Sequence, residues 1–163
     1  MHMAAYTIGL HYDTHAVRAM VVSVTNGREV GTSAWTYSHG KDGVIVCDDP
    51  NLARQHPADY IKGAETTIKR ALAAAKRRVK TFTPKDVIGI GVAAAASTPL
   101  PVDHDGTPLA LQPKFAKEPA AMAWLWNDHT AAAEADEITN YAKKQRPHYL
   151  DKCGGAYSSE SFF

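Results

Sequence analysis

The sequence predicts an α/β domain in which a mixed sheet is flanked by helices. Three apolar runs of strand length, separated by turn signals, stand near its start. A segment with apolar residues at helical spacing follows, and after it comes a fourth apolar run. Strands that alternate with a helix in this way are typical of an α/β architecture.

The first three strands are predicted to form an antiparallel meander. The apolar runs at residues 6–10 and 16–24 enclose a polar insert of turn length. Asn26 and Gly27 are a strong hairpin signal, because both central positions of the tight turn need a positive φ. Residues 28–37 are therefore expected to pair as the third strand.

A loop, a helix and a fourth strand are predicted next. Residues 38–55 are polar and contain glycine and proline, which indicates a loop. Pro57 suits the first position of a helix that ends in the basic run 76–80. Residues 86–92 are apolar throughout and are expected to lie centrally in the sheet. A fifth strand at 98–102 would be confined to an edge by its two prolines.

The remaining predicted elements lie between residues 119 and 160. Residues 119–126 predict a short apolar helix or turn, and Asp128 is a candidate cap for a helix at 129–144. A turn is expected at 153–155 and a helix start at 158–160, from which we expect that the protein continues beyond this sequence. Trp124 and Cys153 are expected to be buried.

The composition of the chain argues against several classes of function. The chain has 163 residues and a formal net charge of +1, so no global field draws it to nucleic acid or to an anionic membrane. It has two cysteines and no apolar run of membrane-spanning length or signal peptide, and a reducing cytoplasm is expected. The basic run 76–80 is interpreted as complementing a helix dipole, not as a nucleic-acid site.

Five sequence blocks carry a resemblance to a known family. They are STPLPVD at 97–103, DGTPLA at 105–110, LWNDHT at 125–130, GGAYSSE at 154–160 and HPADYI at 56–61. The chain thus resembles the N-terminal portion of the FGGY family of carbohydrate kinases, in particular its ribulokinases. The resemblance implies a ribonuclease H-like fold of the actin and hexokinase type. It covers about the first third of a family member, so residues 1–163 would be a partial N-terminal domain.

The same resemblance implies phosphorylation of a ribulose-like ketose by MgATP, with a hairpin whose N–H groups face the phosphates. The family's catalytic base would lie outside these residues, so no catalytic residue is assigned. The implied cofactor-binding positions are His11, Asp13, Thr14, His15 and Arg18. The implied substrate-binding positions are Ala96, Ser97, Trp126, Asp128, His129 and Glu160.

The sequence departs from the family where the phosphates would bind. The family pattern Gly-x-Asp-x-Gly-Thr has His11 in place of its acidic residue and Asp13 in place of its second glycine. A carboxylate about 4 Å from a phosphate charge costs about 4 kcal/mol at an effective dielectric near 20, or roughly three powers of ten in affinity. Alanines at 93–96 replace an acidic residue and hydroxyls. The chain alone is therefore expected to be inactive.

Several alternatives stay open at this stage. His11, Asp13 and His15 alternate and would share a strand face, so they could hold a divalent metal, or they could be solvated turn residues. Asp128 and Glu160 could bind sugar hydroxyls or serve helix ends. The whole chain could instead be a non-catalytic pseudoenzyme or an engineered module. Exposed apolar surface favours some self-association.

Overall fold

A computed structural model describes residues 5–94 and 97–161. The strands are β1 Tyr6–Tyr12, β2 Ala16–Ser23, β3 Glu29–Thr36, β4 Arg54–Gln55, β5 Val87–Ala94 and β6 Ala123–Trp124. The α-helices are α1 Pro57–Arg78 and α2 Ala132–Gln145. Short 3-10 segments lie at Pro84–Asp86, Leu109–Leu111, Pro119–Ala121, Pro147–Leu150 and Ser159–Ser161.

The described residues divide into two compact units. The first unit contains residues 5–44 and 56–94, and the second contains 45–55 and 97–161. Within the described residues, no helix combines the length and the apolarity that crossing a bilayer requires.

The first unit is built on the predicted meander, which the structure confirms. β1 pairs antiparallel with β2, and β2 pairs antiparallel with β3. β5 pairs in parallel with β1, so the strand order is β3-β2-β1-β5. A hairpin turn does follow β2, with Gly27 at a φ of 70°, but Asn26 has no positive φ and five residues connect the two strands, so it is not the two-residue turn that the Asn-Gly pair predicts.

The core of this unit lies between the sheet and α1. Alternation along β1 buries Tyr6, Ile8 and Leu10 on one face and leaves His11 exposed on the other. Val17 and Val21 of β2 are fully buried on the same side. The helix supplies small residues to this face, such as Ala71 and Ala75, so it can lie close to the strands.

Two glycines permit this close approach. A Cβ atom at Gly31 would stand 2.3 Å from the carbonyl oxygen of Ala71 and 2.5 Å from the nitrogen of Ala75. A Cβ atom at Gly63 would stand 2.4 Å from a methyl group of Val17. β3 and α1 therefore meet backbone to backbone at Gly31, and a side chain at Gly63 would push α1 away from β2.

The position of β5 differs from the prediction. Its apolar sequence predicts a central strand, but it is the last strand of the sheet among the described residues. Ile88, Ile90 and Val92 are 71%, 56% and 66% exposed. The helix packs mainly on β2 and β3, so the apolar side chains of β5 have no cover from it.

Polar contacts hold the start of α1. The Nδ1 atom of His56 accepts a hydrogen bond from the N–H of Ala58 and caps the helix. The buried carboxylate of Asp59 accepts hydrogen bonds from the N–H and hydroxyl of Ser38 and from the N–H and ring of His39, all between 2.8 and 2.9 Å. This carboxylate thus ties the end of β3 to the first turn of the helix.

Protonation of the His56 ring would disturb the start of α1. The rings of His39 and His56 stack with centroids 4.1 Å apart. Burial lowers the pKa of His56, the neighbouring His39 lowers it further, and Asp59 opposes them. Burial raises the pKa of Asp59, but hydrogen bonds from His39 and Ser38 outweigh it and leave that pKa lowered.

The second unit has short strands and a small core. β4 pairs antiparallel with β6, and Ile45 forms a bridge to Arg54. The expected strand at 98–102 is wrong: only Val102 forms an isolated bridge, to Pro108, because the prolines of this segment offer no N–H donors. One apolar cluster consists of Ala110, Ala121 and Met122, against which Ile45, Leu109 and Phe115 pack.

Two further expectations in this unit are corrected. α2 begins at Ala132, its N-cap residue is Ala131, and no side chain caps it, so Asp128 is not its cap. Cys153 is exposed and not buried, because it stands in a turn with Gly154 and Gly155, which both adopt positive φ.

Replacing Gly31 by alanine tests the contact between helix and sheet. We expect Gly31→Ala to lower the free energy of unfolding by about 1–3 kcal/mol, because two backbone segments must separate to admit the methyl group. Urea unfolding followed by circular dichroism measures this change. Gly89→Ala is the control, since a Cβ atom there meets nothing within 4 Å. Equal losses in both variants would contradict the close-packing account.

The pH dependence of stability tests the capping histidine. Because the pKa of His56 is lowered, its contribution to stability is fully present above its ordinary value of 6.5 and is lost as the pH falls through the folded-state pKa. We expect His56→Asn, which keeps a cap acceptor, to reduce the loss of stability between neutral pH and pH 5, because the titrating ring is gone.

Urea midpoints at several pH values provide the measurement. His104→Asn is the control, because the His104 side chain is 88% exposed. The contribution of Asp59 is lost only below its ordinary pKa of 3.8, so the two windows are separable. An unchanged pH profile in His56→Asn would exclude His56 as the titrating group.

Candidate functional site

The turn between β1 and β2 holds the predicted cofactor-binding positions. Asp13 and Thr14 form the turn, and His15 leads into β2. The N–H of His15 donates to Oδ1 of Asp13 at 2.8 Å, and Nε of Arg18 donates to Oδ2 at 3.0 Å. The carboxylate of Asp13 thus takes up a backbone N–H and a guanidinium of its own hairpin.

These contacts hold Asp13 in its charged form. Partial burial raises its pKa, but the N–H of His15 and the guanidinium of Arg18 outweigh burial and lower it overall. The charge of Asp13 is therefore paired, so a phosphate at this turn would meet less repulsion than an isolated carboxylate exerts. In addition, two donors of the hairpin are already hydrogen-bonded to Asp13 and are not available to that phosphate.

The three candidate metal ligands do not converge. The Nδ1 atom of His15 lies 2.8 Å from the carbonyl oxygen of Asp42, and the Asp13 carboxylate turns toward Arg18. β1 ends at Tyr12, so the strand alternation that would align His11 with the other two stops before them. Across residues 5–94 and 97–161, the ligand atoms that gather within 4.8 Å belong to the loop residues Asp103, His104 and Asp105.

A groove lies on the sheet face opposite α1. Its volume is about 550 Å³, and Gly9 and Gly91 form part of its floor. His11 and Arg18 line it, and they are direct cross-strand neighbours. Ala93 of β5 lies beside His11 on its other side. Backbone and small side chains are therefore accessible next to one imidazole and one guanidinium.

Asp128 is the centre of a buried polar cluster in the second unit. Asp128 and Arg54 are 1% and 2% exposed and form an ion pair. The carboxylate also accepts hydrogen bonds from the N–H of Ala53 at 2.7 Å and from the N–H and hydroxyl of Thr130. These donors occupy both carboxylate oxygens, so Asp128 joins the segment after β6 to β4.

The two tryptophans of this segment differ in exposure. Trp124 is half-buried, and its ring lies 3.6 Å from the guanidinium carbon of Arg54, so it packs on a cation and not in an apolar core. Trp126 is 46% exposed. The N–H of Leu125 donates to the carbonyl oxygen of Ala53, which fixes the chain on one side of Trp126.

His129 and Glu160 are brought together. The Nδ1 atom of His129 lies 2.7 Å from the hydroxyl of Ser159 and 3.6 Å from Oε1 of Glu160. The hydroxyl of Ser158 donates to Glu160 and lowers its pKa, so this side chain is a carboxylate at neutral pH. The N–H of His129 donates to the carbonyl oxygen of Asn51. Both side chains remain partly exposed.

Of the last two predicted substrate positions, Ser97 is described and follows β5 in the chain. Ser97 is exposed and adopts a φ of 55°, which is unusual for a residue with a side chain. Ala96 lies outside the described residues. The predicted cofactor positions thus belong to the first compact unit, and the described substrate positions belong to the second.

Sequence reasoning missed two polar residues that organise these regions. Arg54 was assigned to a polar loop, yet it is the buried partner of Asp128. Asp59 stands two residues after the Pro57 that begins the predicted helix, yet it binds the segment that follows β3. The block HPADYI at 56–61 contains Asp59, but a block shared with a family does not show which long-range donors a carboxylate meets.

No protein-family model matches the chain. A ribulokinase of Vibrio parahaemolyticus is 38% identical over 159 residues, which are 97% of this chain and 27% of that protein. A ribulokinase of Shouchella clausii is 36% identical over 163 residues, with 97% and 28% covered. The chain therefore spans about a quarter of the length of these relatives.

Solved structures agree on the fold. A xylulose kinase from Brucella ovis matches with a TM-score of 0.63 at 21% identity, over 87% of this chain and 25% of that one. A gluconate kinase from Lactobacillus acidophilus matches with a TM-score of 0.58 at 15% identity, over 87% and 23%.

The meander, the parallel β5 and these structural matches define the actin and hexokinase type of fold, which confirms the predicted fold class. The sequence matches are more specific. The chain belongs with the ribulokinases of the FGGY carbohydrate kinase family and corresponds to their N-terminal portion.

Neutralising Asp128 tests the buried pair. We expect Asp128→Asn to lower the free energy of unfolding by about 3–5 kcal/mol, because it leaves the Arg54 guanidinium buried without a counter-charge. Adding Arg54→Met should recover part of this loss. Chemical unfolding of the two variants measures both effects.

Glu65→Gln is the matched control for this experiment. Glu65 forms an ion pair with Lys69 in which both side chains are well exposed, so its loss should cost no more than about 1 kcal/mol. If Asp128→Asn cost no more than Glu65→Gln, the buried pair would not stabilise this unit.

Proposed function

We propose that this chain is the N-terminal portion of a kinase that phosphorylates ribulose, and that it contributes sugar-binding residues but an impaired phosphate-binding hairpin. One observation carries the proposal. The chain matches ribulokinases over nearly its whole length, while the Asp13 carboxylate engages the His15 N–H and the Arg18 guanidinium at the turn that should face phosphate.

On the sugar side, three described residues are partly exposed. Trp126 offers an exposed ring, which can stack on the apolar face of a sugar. His129 and Glu160 offer a partly exposed imidazole and carboxylate, which can bind hydroxyl groups. Asp128 supports this segment from beneath and does not contact a ligand itself, because protein donors occupy its oxygens. Ser97 and Ala96 complete the proposed set.

On the nucleotide side, the residues do not fit MgATP phosphates. A phosphate needs free N–H donors and close backbone approach; Asp13 engages the N–H of His15 and puts a side chain where the family pattern has glycine. The register places His11 of β1 beside Ala93 of β5. By resemblance, both positions carry acidic residues in the family, and these would serve Mg²⁺. An imidazole and a methyl group cannot replace two carboxylates there, so no step through MgATP is assigned to this chain.

For the whole protein, the proposal includes MgATP as phosphate donor, a ribulose-like ketose as acceptor and a cytoplasmic location. Residues 1–163 would then be a partial N-terminal domain, because the matched relatives are about four times as long. A second candidate, a non-catalytic sugar-binding module, is favoured by the same occupied hairpin. A measurement of phosphoryl transfer distinguishes the two candidate functions, since a module would bind sugar without phosphorylating it.

Grafting tests the hairpin within a complete enzyme. The chain replaces the matching quarter of the Vibrio parahaemolyticus ribulokinase, and ribulose-dependent ADP formation is measured. We expect kcat/KM to fall at least about a hundredfold, because positioned donors for the phosphates are lost. Restoring the family pattern with His11→Asp, Asp13→Gly and Ala93→Asp should recover at least about tenfold.

The control graft carries Asp48→Gly, which changes an exposed loop aspartate in the same way and should recover nothing. Ribulose binding, measured calorimetrically without nucleotide, should be similar in all grafts and weaker with Trp126→Ala. A fully active unmodified graft would refute the impaired hairpin. A graft that neither binds ribulose nor depends on Trp126 would refute the sugar-binding assignment.

A further inference from the structure

Trp126 lies in a tight turn formed by residues 125–128, the tryptophan turn. The N–H of Asp128 donates to the carbonyl oxygen of Leu125 at 2.8 Å, so Trp126 and Asn127 are the two central residues. This hydrogen bond fixes the shape of the turn but not its place in the protein. The place and angle of the Trp126 ring therefore depend on what the turn is attached to.

One short segment, residues 51–53, holds both ends of the tryptophan turn. The carbonyl oxygen of Ala53 accepts the N–H of Leu125 at 3.1 Å, and the N–H of Ala53 donates to Oδ2 of Asp128 at 2.7 Å. Just after the turn, the N–H of His129 donates to the carbonyl oxygen of Asn51 at 2.8 Å. A movement of this segment would therefore move the turn with it.

Arg54 connects this attachment to the side chains around it. Its Nη1 atom donates to the carbonyl oxygen of Ala53 at 3.2 Å and pairs with Asp128, and its Nη2 atom lies 3.5 Å from Oγ1 of Thr130. Its guanidinium carbon lies 3.6 Å from the centre of the ring of Trp124, the cross-strand neighbour. Arg54 is 2% exposed, so these contacts lie inside the second unit and depend on no open surface.

We propose that Arg54 is a positioning residue for the sugar site, which holds the tryptophan turn so that the Trp126 ring keeps one place and angle against a ketose. This inference rests on the proposed function, because that function makes Trp126 a sugar contact. Arg54 itself does not touch the sugar, since its buried guanidinium faces Ala53, Asp128 and Trp124. A ring that is fixed before the sugar arrives loses little freedom on binding, so the affinity depends on Arg54 without a direct contact.

The geometry requires a guanidinium and not only a positive charge. The planar group donates to a carbonyl oxygen and a carboxylate, reaches a hydroxyl, and lies with its carbon over an indole ring. A lysine ammonium can keep the charge pair with Asp128, but it is compact and cannot make all of these contacts at once. Arg54→Lys therefore loosens the tryptophan turn without leaving a buried carboxylate unpaired.

Fluorine NMR on the 163-residue chain, labelled with 5-fluorotryptophan, tests the position of the ring. The chain has three tryptophans, and Trp126→Phe assigns the Trp126 resonance by its loss. We expect Arg54→Lys to shift or broaden the resonances of Trp126 and Trp124 but not that of Trp35, which lies in the first unit. Arg146→Lys is the matched control, an exposed arginine of the second unit, and should change none of them. An unchanged Trp126 resonance in Arg54→Lys would overturn the inference.

Calorimetry with ribulose on the Vibrio parahaemolyticus graft measures whether Arg54 acts through Trp126. We expect Arg54→Lys to weaken ribulose binding about tenfold, because a misplaced ring loses its contact. In a graft that already carries Trp126→Ala, the same change should have no further effect, since the two residues act as one unit. Arg146→Lys should leave the affinity unchanged. An equal effect of Arg54→Lys with and without the Trp126 ring would contradict a positioning role, as would no effect where Trp126→Ala weakens binding.

A failure of the proposed function gives a different result. An unchanged ribulose affinity in Trp126→Ala would refute the sugar-binding assignment and, with it, the role of Arg54 toward a sugar, while the fluorine spectra would still show whether Arg54 holds the turn. Circular dichroism checks the fold of each variant. If Arg54→Lys is unfolded, Thr130→Val takes its place in both measurements, because it removes the hydroxyl that contacts both Asp128 and Arg54.

Discussion

The close contact between α1 and the strands β2 and β3 determines most of the first compact unit. Glycines at 31 and 63 let the helix backbone approach the sheet, and no larger residue would fit at either place. The helix therefore lies over β2 and β3 and buries the apolar faces of those strands and of β1. β5 stays outside its reach, which explains why the most uniformly apolar strand of the chain is also the most exposed.

Carboxylates connect segments that lie far apart in the sequence. Asp59 binds the end of β3 to the start of α1, and Asp128 binds the segment after β6 to β4. Asp13 uses the same chemistry over a short range and closes its own turn. In each case the negative charge is matched by N–H, hydroxyl or guanidinium donors of the chain. Donors that are matched in this way are not available to a ligand, and this links stability with the proposed loss of phosphate binding.

Local sequence patterns predicted the helices and strands well, but they predicted the contacts between distant segments poorly. The meander and α1 followed from strand length, the Asn-Gly turn and a proline at the helix start, which are properties of neighbouring residues. The central position of β5 and the helix cap at Asp128 were wrong, because each depends on what another part of the chain covers or donates. The buried partner of Asp128 is Arg54, and no spacing rule connects two residues so far apart.

The sequence by itself determined the fold class and the family, and it located the departures at His11, Asp13 and Ala93. Residue types in short blocks carry that information directly. Only the tertiary structure decided which partners the charged side chains have and which strand lies at the end of the described sheet. In the structure the Asp13 carboxylate binds Arg18, Asp128 lies in a buried ion pair, and β5 is the last strand of the sheet among the described residues. The sequence could not show this, since burial and hydrogen-bond partners arise only when distant segments pack together.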